Sequence, residues 1–354
     1  MNNKKRQIVV AMFPYLNNHP YLRLLREGLE RHGVIVDRNT KWFPVRLFHK
    51  YRSKPVLHFH WPSLFYQSKK FPLLTIYRFP LFIVFAYIAK ILNYKIVWTV
   101  HNLYPHETVL PSFLEHWLRG VWARRFVDHM IAHCPSAEKM LRREFKTDKP
   151  VNIIPHGNFI GYFPDKIEKK EARNQLKIPN DSFVYLHFGL IKGYKGIEEL
   201  IDIFKKVRSP NDFLVIAGKS VERSVCKEIE AKADKQIILR LVIIKDDEIQ
   251  HYFKASDVVA LPYRDILTSG NLLLSMSFAR PAIIPAVGCV PETVDSECGI
   301  LYNPEEAGGL EKAMIQAKGM DMEKMGRNAY EKAKRFDWDM IAKKTKEVYE
   351  QVAG

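Results

Sequence analysis

The stretch from Asp257 to Gly299, DVVALPYRDILTSGNLLLSMSFARPAIIPAVGCVPETVDSECG, decides the fold of this 354-residue chain. It opens with an apolar run typical of a strand. The small residues Thr268, Ser269 and Gly270 then lead into LLLSMSFA, whose apolar positions recur at helical spacing. Residues 279–281 (ARP) end this helix, and AIIPA predicts a second strand. The order strand, turn, helix, strand predicts a βαβ unit, in which the unpaired N–H groups at the helix N-terminus suit a phosphate or ribose.

The rest of the chain shows the same alternation of strands and helices. Apolar runs that read as strands alternate with amphipathic helices, among them QIVVAM (7–12), VLHFHWP (56–62), KIVWTVHN (95–102) and FVYLHFG (183–189). A polar connector at residues 161–180 separates two such series, and the chain is long enough for two domains. We therefore predict an α/β fold with two Rossmann-like, doubly wound domains.

We divide the chain into three parts. The first domain spans residues 1–163, and the second spans residues 164–335. A C-terminal helix at residues 336–354 is expected to pack back on the first domain. Asp337 is its expected N-cap, because aspartate accepts a hydrogen bond from the first turn of a helix.

Charge is distributed unevenly between the two parts of the chain. Residues 1–150 contain 25 Lys and Arg against 9 Asp and Glu, whereas residues 151–354 contain 30 of each. The whole excess of +16 therefore lies in the first part. An excess of this kind suits nucleic acid or an anionic membrane surface as the partner. No RNA- or DNA-binding motif accompanies the charge, which favours the membrane and predicts no nucleic-acid partner.

The same region contains FPLFIVFAYIA, from Phe79 to Ala89. Eleven apolar residues are too few to span a bilayer of about 30 Å, which needs about 20. One interpretation is a buried core helix. The other is a domain that lies on the membrane without crossing it. This interpretation is favoured by the neighbouring basic residues Arg46, Lys50, Arg52, Lys54, Lys69 and Lys70.

The four cysteines include no CxxC pair and predict no zinc site. We predict a cytoplasmic protein that is peripheral on the inner face of the cell membrane.

The order of the elements resembles that of a known enzyme family. FGLIKGYKGIEELIDIF (188–204), FLVIAG, YFKASDVVALP, FARPAI, GCVPETV, GILYNPEE and a terminal FDW resemble the second domain of GT-B glycosyltransferases of the "glycosyl transferases group 1" type. TVHN (99–102) and NIIPHGNFIGYFP (152–164) resemble parts of the first domain and the interdomain segment. The resemblance covers most of residues 95–350, and it implies an enzyme that uses a nucleotide-sugar donor.

The family resemblance also implies where the substrates bind. The two domains would face a cleft, with the donor bound mainly to the second domain and the acceptor to the first. Neither a metal nor another cofactor is expected, because basic side chains and helix N-termini meet the phosphate charge. The predicted donor-binding residues are Gly189, Lys192, Lys195, Gly218, Lys219, Thr268, Ser269, Gly270, Asn271, Ser275 and Glu292. Lys192 would replace the usual arginine, whose position is Leu190 here.

The chain departs from the family pattern at two positions. The family usually has two glutamates eight residues apart, and the matching residues are Leu267 and Ser275. Ser275 could hydrogen-bond a ribose hydroxyl, though more weakly than a carboxylate. Asp265 could take over the sugar contact. The departure leaves open whether the reaction retains or inverts the anomeric configuration.

An inverting transfer needs a base near the acceptor hydroxyl. His101 is the first candidate, because it follows a strand and matches a family histidine. The alternative for His101 is a structural histidine bonded to nearby backbone, and Glu107 is a second candidate base. His106, His58 and His60 are also candidates, although a structural role is favoured for His58 and His60.

The sequence thus predicts a hexosyltransferase that uses a nucleotide diphosphate sugar. Its acceptor would be a membrane-associated, lipid-linked saccharide or glycan, in the synthesis of a surface polysaccharide or glycolipid. The alternative is a degenerate glycosyltransferase that acts as a binding or scaffold subunit, as the missing glutamates suggest.

Overall fold

The computed structural model describes residues 7–37, 55–68, 70–105 and 107–353. The chain divides into two compact units, one of Met1–Gly157 with Asp337–Gly354 and one of Asn158–Phe336. The first boundary lies before the predicted residue 163 because Asn158 is already tied to the second unit. Its backbone N–H donates to the Phe336 carbonyl at 2.9 Å, and its side-chain amide donates to the Ala333 carbonyl at 2.8 Å. The C-terminal helix belongs to the first unit.

The first unit contains a parallel sheet of six strands in the order β2-β1-β3-β4-β5-β6. Chain order reverses direction between β1 and β3, which makes this pair the switch point of the sheet. The strands are β1 (Val9–Phe13), β2 (Ile35–Val36), β3 (Val56–Phe59), β4 (Lys95–Thr99), β5 (His129–Ala132) and β6 (Val151–Ile153). The helices are α1 (Pro20–Arg31), α2 (Ser63–Tyr66), α3 (Leu73–Ile91), α4 (Ser112–Val121), which continues as a π turn (Trp122–Phe126), α5 (Pro135–Phe145) and α14 (Trp338–Ala353).

The C-terminal helix α14 completes the core of the first unit. Trp338 and Tyr349 are buried in the same apolar cluster as residues of α1 and the sheet. The Tyr349 hydroxyl also hydrogen-bonds Nδ1 of His58, inside β3, at 2.7 Å. Gly157 faces the Trp338 ring so closely that an added Cβ would lie 2.3 Å from it. The glycine of the PHGN segment is therefore needed to let the tryptophan pack.

The second unit contains another six-stranded parallel sheet, in the order β12-β11-β10-β7-β8-β9. Its switch point lies between β7 and β10. The strands are β7 (Phe183–Phe188), β8 (Asp212–Ala217), β9 (Ile237–Arg240), β10 (Val258–Ala260), β11 (Ala282–Pro285) and β12 (Gly299–Tyr302). The helices are α6 (Lys169–Leu176), α7 (Ile197–Val207), α8 (Arg223–Lys232), α9 (Ile249–Ala255), α10 (Gly270–Ser277), α11 (Val290–Thr293), α12 (Gly309–Lys318) and α13 (Met322–Ala333).

The stretch from residue 257 to residue 299 forms the predicted βαβ unit, with α10 between β10 and β11. Asp257 fixes the start of β10. Its carboxylate accepts from Lys169 Nζ at 2.6 Å and from the buried Arg173 guanidinium at 2.8 Å. It also accepts from the Val184 backbone N–H at 2.7 Å, which joins it to β7. The charged connector before β7 is thereby attached to the central strands of the second sheet.

Helix α3 differs most from its sequence-based prediction. It runs for 19 residues, about 28 Å, rather than over the eleven of Phe79–Ala89. Arg78 and Pro80 interrupt the apolar run in the sequence, but the helix continues through both. In the described part of the chain it is the one helix long and apolar enough to cross a membrane. The prediction that this segment is too short to span was therefore wrong as to length. It is also not a buried core helix, because most of its large apolar residues are exposed.

The packing of α14 generates a stability prediction. Trp338→Ala should lower the free energy of unfolding by about 3–5 kcal/mol, because it removes a buried indole from the first unit's core. Trp117→Ala is the matched control, since the Trp117 side chain is exposed, and its effect should stay within about 0.5 kcal/mol. Urea unfolding of the three proteins measures both values. Equal effects of the two substitutions would contradict the placement of α14 in the core.

Candidate functional site

Two glycines shape the carboxyl edge of the second unit's sheet. Gly189 follows β7 with φ +110° and donates its N–H to the Ala217 carbonyl at 2.9 Å. Gly218 follows β8 with φ +145°, and a Cβ there would lie 1.9 Å from the Gly189 carbonyl oxygen. Both residues adopt backbone conformations that favour glycine. The two strand ends can approach each other only because Gly218 carries no side chain, whereas a Cβ at Gly189 would lie 2.6 Å from Nδ2 of Asn271.

The turn after Gly189 is held in place by hydrogen bonds that its backbone N–H groups donate. The Ile191 N–H donates to the Lys219 carbonyl at 2.9 Å, and the Gly193 N–H donates to the Glu222 carboxylate at 3.2 Å. A 3₁₀ turn from Gly193 to Lys195 follows. Gly196 then enters α7 with φ +66°, where a Cβ would lie 2.3 Å from the Pro262 carbonyl oxygen. The turn is thus packed against the segment that follows β10.

This packing buries the Lys195 side chain, which is only 6% exposed. Its Nζ lies 5.4 Å from the centre of the Tyr263 ring. Among the described residues Lys195 has neither an ion pair nor a hydrogen bond to its ammonium group. Burial, with the nearby Lys192 as a second cause, lowers the pKa of Lys195 to about 8. A buried cation without a carboxylate partner is costly unless a ligand supplies the negative charge.

The N-terminus of α10 lies at the same edge. The Ser269 hydroxyl accepts from the Leu272 N–H at 3.1 Å, as an N-cap does. The Asn271 side chain donates to the Phe188 carbonyl at 2.8 Å and to the Tyr263 hydroxyl at 3.1 Å, which ties α10 to the end of β7. Within the described ranges, the backbone N–H groups of Gly270 and Asn271 have no acceptor. Two N–H groups and the helix dipole can therefore bind an anion.

The remaining predicted donor-binding residues follow neighbouring strands of this sheet. Lys192 is partly exposed in the turn after β7, Lys219 is exposed after β8, and Thr268 is partly exposed just before α10. Glu292 is exposed on α11, which follows β11. Because carboxyl ends of parallel strands meet at one edge, the predicted residues other than Ser275 lie along it. Their assignment to the donor stays a prediction.

The positions that depart from the family pattern have different surroundings. Leu267 is buried, and its carbonyl accepts from the Cys289 N–H at 2.8 Å. Ser275 is fully buried within α10 and donates its hydroxyl to the Arg280 carbonyl at 2.8 Å. The geometry therefore argues against Ser275 as a ribose contact. Asp265 is exposed in the loop after β10, two residues before Leu267, where a sugar contact remains a prediction.

The first unit places a chain of histidines at its own carboxyl edge. His60, His101 and His133 come just after β3, β4 and β5. Nδ1 of His60 lies 3.1 Å from Nε2 of His101, and Nδ1 of His101 lies 3.1 Å from Nε2 of His133. Nδ1 of His133 lies 2.9 Å from the Ile154 carbonyl oxygen. We call these three residues the histidine chain.

The histidine chain changes the assignment of the first candidate base. Both ring nitrogens of His101 are hydrogen-bonded to other histidines, and its side chain is buried. Burial and the neighbouring histidines hold the pKa of His101 well below its ordinary value. His101 therefore cannot take a proton directly from a substrate while these bonds persist. Sequence reasoning also missed His133. The available signal was the recurrence of histidine near the ends of three strands, in HFH, TVHN and AHC.

The other candidates in the first unit have separate positions. His58 bonds the Tyr349 and Thr99 hydroxyls at 2.7 and 2.8 Å, and burial lowers its pKa to about 3, so it is structural. Glu107 is partly buried in the loop between β4 and α4. His106 lies outside the described residues, as do the basic residues predicted to flank the apolar run, except Lys70.

Side chains that could ligate a metal are scattered over the part of the chain that the structure describes. There, no group of three or more His, Cys, Asp or Glu is placed to hold a metal ion. The histidine chain instead bonds its nitrogens to one another and to a carbonyl. Whether the reaction needs a metal stays a matter of prediction.

Comparison with known proteins identifies both parts of the chain. Residues 182–318 match the family described as "Glycosyl transferases group 1", and residues 19–157 match "Glycosyltransferase Family 4". One relative is the GDP-mannose:glycolipid 4-beta-D-mannosyltransferase of Xanthomonas campestris pv. campestris. It is 27% identical over 318 residues, which cover 85% of this chain and 80% of the relative.

Solved structures show the same fold. Sucrose-phosphate synthase from Thermosynechococcus elongatus has a TM-score of 0.74 at 18% identity and covers 98% of this chain and 99% of its own. Anabaena HepE, solved in complex with UDP, has a TM-score of 0.72 at 17% identity, covering 98% and 100%. The two Rossmann-like units match these neighbours in their GT-B architecture. The chain belongs to the group 1 and family 4 glycosyltransferases and is a glycosyltransferase enzyme.

Proposed function

We propose that this enzyme transfers a hexose-type sugar from a nucleoside diphosphate sugar to a lipid-linked acceptor at an anionic membrane surface. The observation that carries the proposal is the buried side chain of Lys195, whose ammonium group has no anionic partner among the described residues. Lys195 lies in the turn after β7, at the switch point of the second sheet. Its Nζ lies 5.4 Å from the centre of the Tyr263 ring, and the Tyr263 hydroxyl accepts from Asn271 at the start of α10 at 3.1 Å. A diphosphate would supply the missing negative charge.

The charge that develops during glycosyl transfer supports the same assignment of Lys195 to the diphosphate. Glycosyl transfer releases a nucleoside diphosphate, so the departing oxygen gains negative charge in the transition state. Lys195 and the free N–H groups of Gly270 and Asn271 would stabilise that charge. Gly189 and Gly218 would allow the backbone to approach the phosphates closely. The solved Anabaena neighbour contains UDP, which supports a nucleotide as the ligand.

The relatives support a glycolipid acceptor. The Xanthomonas relative is named for transfer from GDP-mannose to a glycolipid. Its name also specifies a β-linked product, which requires inversion when the donor carries its sugar in the α configuration. We propose inversion for this enzyme as well. Leu267, where the family usually has a glutamate, is consistent with a mechanism that differs from the typical member.

Helix α3 supports association with a membrane. Its exposed apolar residues recur every three or four positions and so form one stripe. The stripe consists of Leu73, Leu74, Ile76, Tyr77, Leu81, Val84, Tyr87 and Ile91. Phe113 and Trp117 on α4 are exposed as well, and the Trp117 ring lies 6.4 Å from that of Phe79 on α3. We call the stripe with these two residues the apolar surface; patches of this kind mark interaction sites.

Charge around the apolar surface favours an anionic lipid bilayer over another protein. Residues 38–106 contain eleven Lys and Arg and no Asp or Glu. Lys70 and Arg78, which are described, form no ion pair within the described residues. Their positive charges can therefore meet lipid phosphates, at about 1 kcal/mol each near the surface.

The opposite face of α3 explains why we propose that it lies on the membrane. Phe82, Ala86 and Ala89 are buried against the first unit. Lys90, near the end of the helix, bonds the Asp128 carboxylate at 2.6 Å. A spanning orientation would separate these contacts, whereas a helix parallel to the surface keeps them and inserts only the stripe.

Replacement of Lys195 tests donor binding. Lys195→Met keeps the length of the side chain but removes its charge, and should weaken binding of the cognate nucleoside diphosphate about 10- to 100-fold. Titration calorimetry measures this after a thermal-shift screen of UDP-, GDP- and dTDP-sugars has found the donor. Lys205→Met, at an exposed position of α7, is the matched control and should bind normally.

The same titration has a predicted pH dependence. Lys195 is charged below its pKa of about 8, so donor affinity of the wild type should fall as the pH rises through 8. The Lys195→Met variant should lack this fall. Wild-type affinity in the variant, or no thermal shift with any nucleotide sugar, would contradict the proposed donor site.

Substitutions in the stripe test the membrane proposal. Ile76→Glu with Tyr77→Glu should weaken binding to vesicles that contain phosphatidylglycerol by about tenfold or more, because carboxylates replace inserted apolar groups. Vesicle flotation measures the change. Ile315→Glu on α12 is the control, since Ile315 is also exposed but lies in the second unit. Unchanged flotation of the double variant, or stronger salt-sensitive binding to RNA than to vesicles, would refute it.

A further inference from the structure

His60 occupies the switch point of the first unit's sheet. It follows β3 directly, and its backbone N–H donates to the carbonyl of Phe13, the last residue of β1, at 2.8 Å. The carboxyl ends of the two strands on either side of a switch point form the place where doubly wound sheets bind ligands. His60 is thus the member of the histidine chain in the position expected for a substrate contact.

The hydrogen bonds determine which nitrogen of each histidine carries a proton. The Ile154 carbonyl oxygen can only accept, so Nδ1 of His133 must donate. In neutral His133, Nε2 then accepts from Nδ1 of His101. Nε2 of His101 in turn accepts from Nδ1 of His60. The chain therefore leaves its one bare lone pair on Nε2 of His60.

That lone pair has no partner within the described residues, although the atom is buried. A buried polar atom without a hydrogen bond costs about 1–3 kcal/mol, so its retention needs an explanation. His187 in the second unit also has an unpartnered Nε2, but it lies within β7 and not at a strand end. The position of His60 at the switch point distinguishes it from such a core histidine.

The surroundings of His60 keep it neutral. The titratable groups around it are His19, just before α1, Tyr21 on α1, His58 in β3, His101 after β4 and His133 after β5. Burial, followed by the coulombic effect of His58, His19 and His133, holds the pKa of His60 well below its ordinary value. At neutral pH the imidazole therefore presents a lone pair and carries no charge.

We propose that Nε2 of His60 is the general base of the transfer reaction and that His101 and His133 are positioning residues. This rests on the proposed function. The acceptor hydroxyl oxygen forms a bond to the anomeric carbon and gives its proton to His60 Nε2. The bond from the anomeric carbon to the diphosphate oxygen breaks, and its electron pair leaves with the nucleoside diphosphate. No other reactant is needed, and the sugar is inverted.

The histidine chain gives the accepted proton two further positions. When His60 is protonated, its Nδ1 proton can pass to Nε2 of His101, and the Nδ1 proton of His101 can pass to Nε2 of His133. The charge then rests on His133, whose Nδ1 proton stays bonded to the Ile154 carbonyl. Spreading the charge over three rings offsets the low basicity that burial imposes on His60 alone.

Access to His60 requires one covering ring to move. The side chain is 1% exposed, and the rings of Tyr21 and Trp61 lie 5.7 and 5.9 Å from that of His60. Tyr21 is buried, whereas Trp61 is partly exposed and stacks on His101 at 4.7 Å. We assign the displacement to Trp61, which an acceptor sugar can replace by stacking on the same face.

Replacement of His60 tests its catalytic role. His60→Gln keeps a donor toward His101 but has no basic nitrogen, so kcat should fall about 10²- to 10⁴-fold with little change in KM. His129→Gln is the matched control. His129 is also a buried histidine of this sheet, with its Nε2 bonded to Asn152 at 2.6 Å, outside the histidine chain. The control should fold and retain activity within about threefold of the wild type.

Two further measurements separate a base from a structural residue. In the wild type, the acid limb of the pH profile of kcat/KM should lie below pH 6.5, because the folded protein holds the pKa of His60 below that value. This limb should be absent from the pH profile of the residual activity of His60→Gln. Proton NMR of the product should show an inverted anomeric centre. Retention, or a variant with more than about a tenth of wild-type kcat, would overturn the proposal.

The tautomers can be measured without any reaction. Long-range ¹H–¹⁵N correlation of histidine-labelled protein should show the proton of His60, His101 and His133 on Nδ1, with His60→Gln assigning the signals and reporting whether the variant is folded. A His60 signal protonated on Nε2 would overturn the proposal. Absence of transfer by the wild type with every donor would instead defeat the proposed function and leave this tautomer result standing.

Discussion

Parallel pairing is the constraint on which both units depend. In a parallel sheet every strand ends at the same edge, so residues far apart in sequence meet there without any direct attraction between them. In the second unit this edge gathers Gly189, Gly218 and the start of α10 around Lys195. In the first it gathers His60, His101 and His133 from three adjacent strands. The chemistry of each unit follows from which side chains come after each strand.

The two edges share a second property, since each contains a buried side chain whose polar group has no partner among the described residues. Lys195 lacks an anion, and Nε2 of His60 lacks a proton donor. Burying either group without a partner costs free energy of folding. The packing of the surrounding strands and glycine turns offsets this cost and holds each group in place. In our proposals, the first group binds the diphosphate of the donor, and the second accepts the proton of the acceptor hydroxyl. Together they match the two halves of one glycosyl transfer.

Helix α3 extends the same reasoning to the surface. Its inner face packs on the rest of the first unit through Phe82, Ala86 and Ala89. The helix is therefore held in place without any contact to its outer face. The outer stripe nevertheless contains large apolar residues in a segment without carboxylates. Exposure of such apolar area to water is unfavourable, and its transfer into lipid lowers the free energy. A membrane-bound acceptor would then be presented to the unit that holds the histidine chain.

The sequence by itself determined the alternation of strands and helices, the glycine turns after β7 and β8, and the basic excess of residues 1–150, because these depend on local pattern and composition. It did not determine the length of α3, since Arg78 and Pro80 break the apolar run although packing carries the helix through them. Only the tertiary structure showed that the Ser275 side chain is buried and that its hydroxyl donates to the Arg280 carbonyl. Only the tertiary structure moved our proposal for the base from His101 to His60, because a tautomer depends on hydrogen-bond partners from three strands and the carbonyl of Ile154.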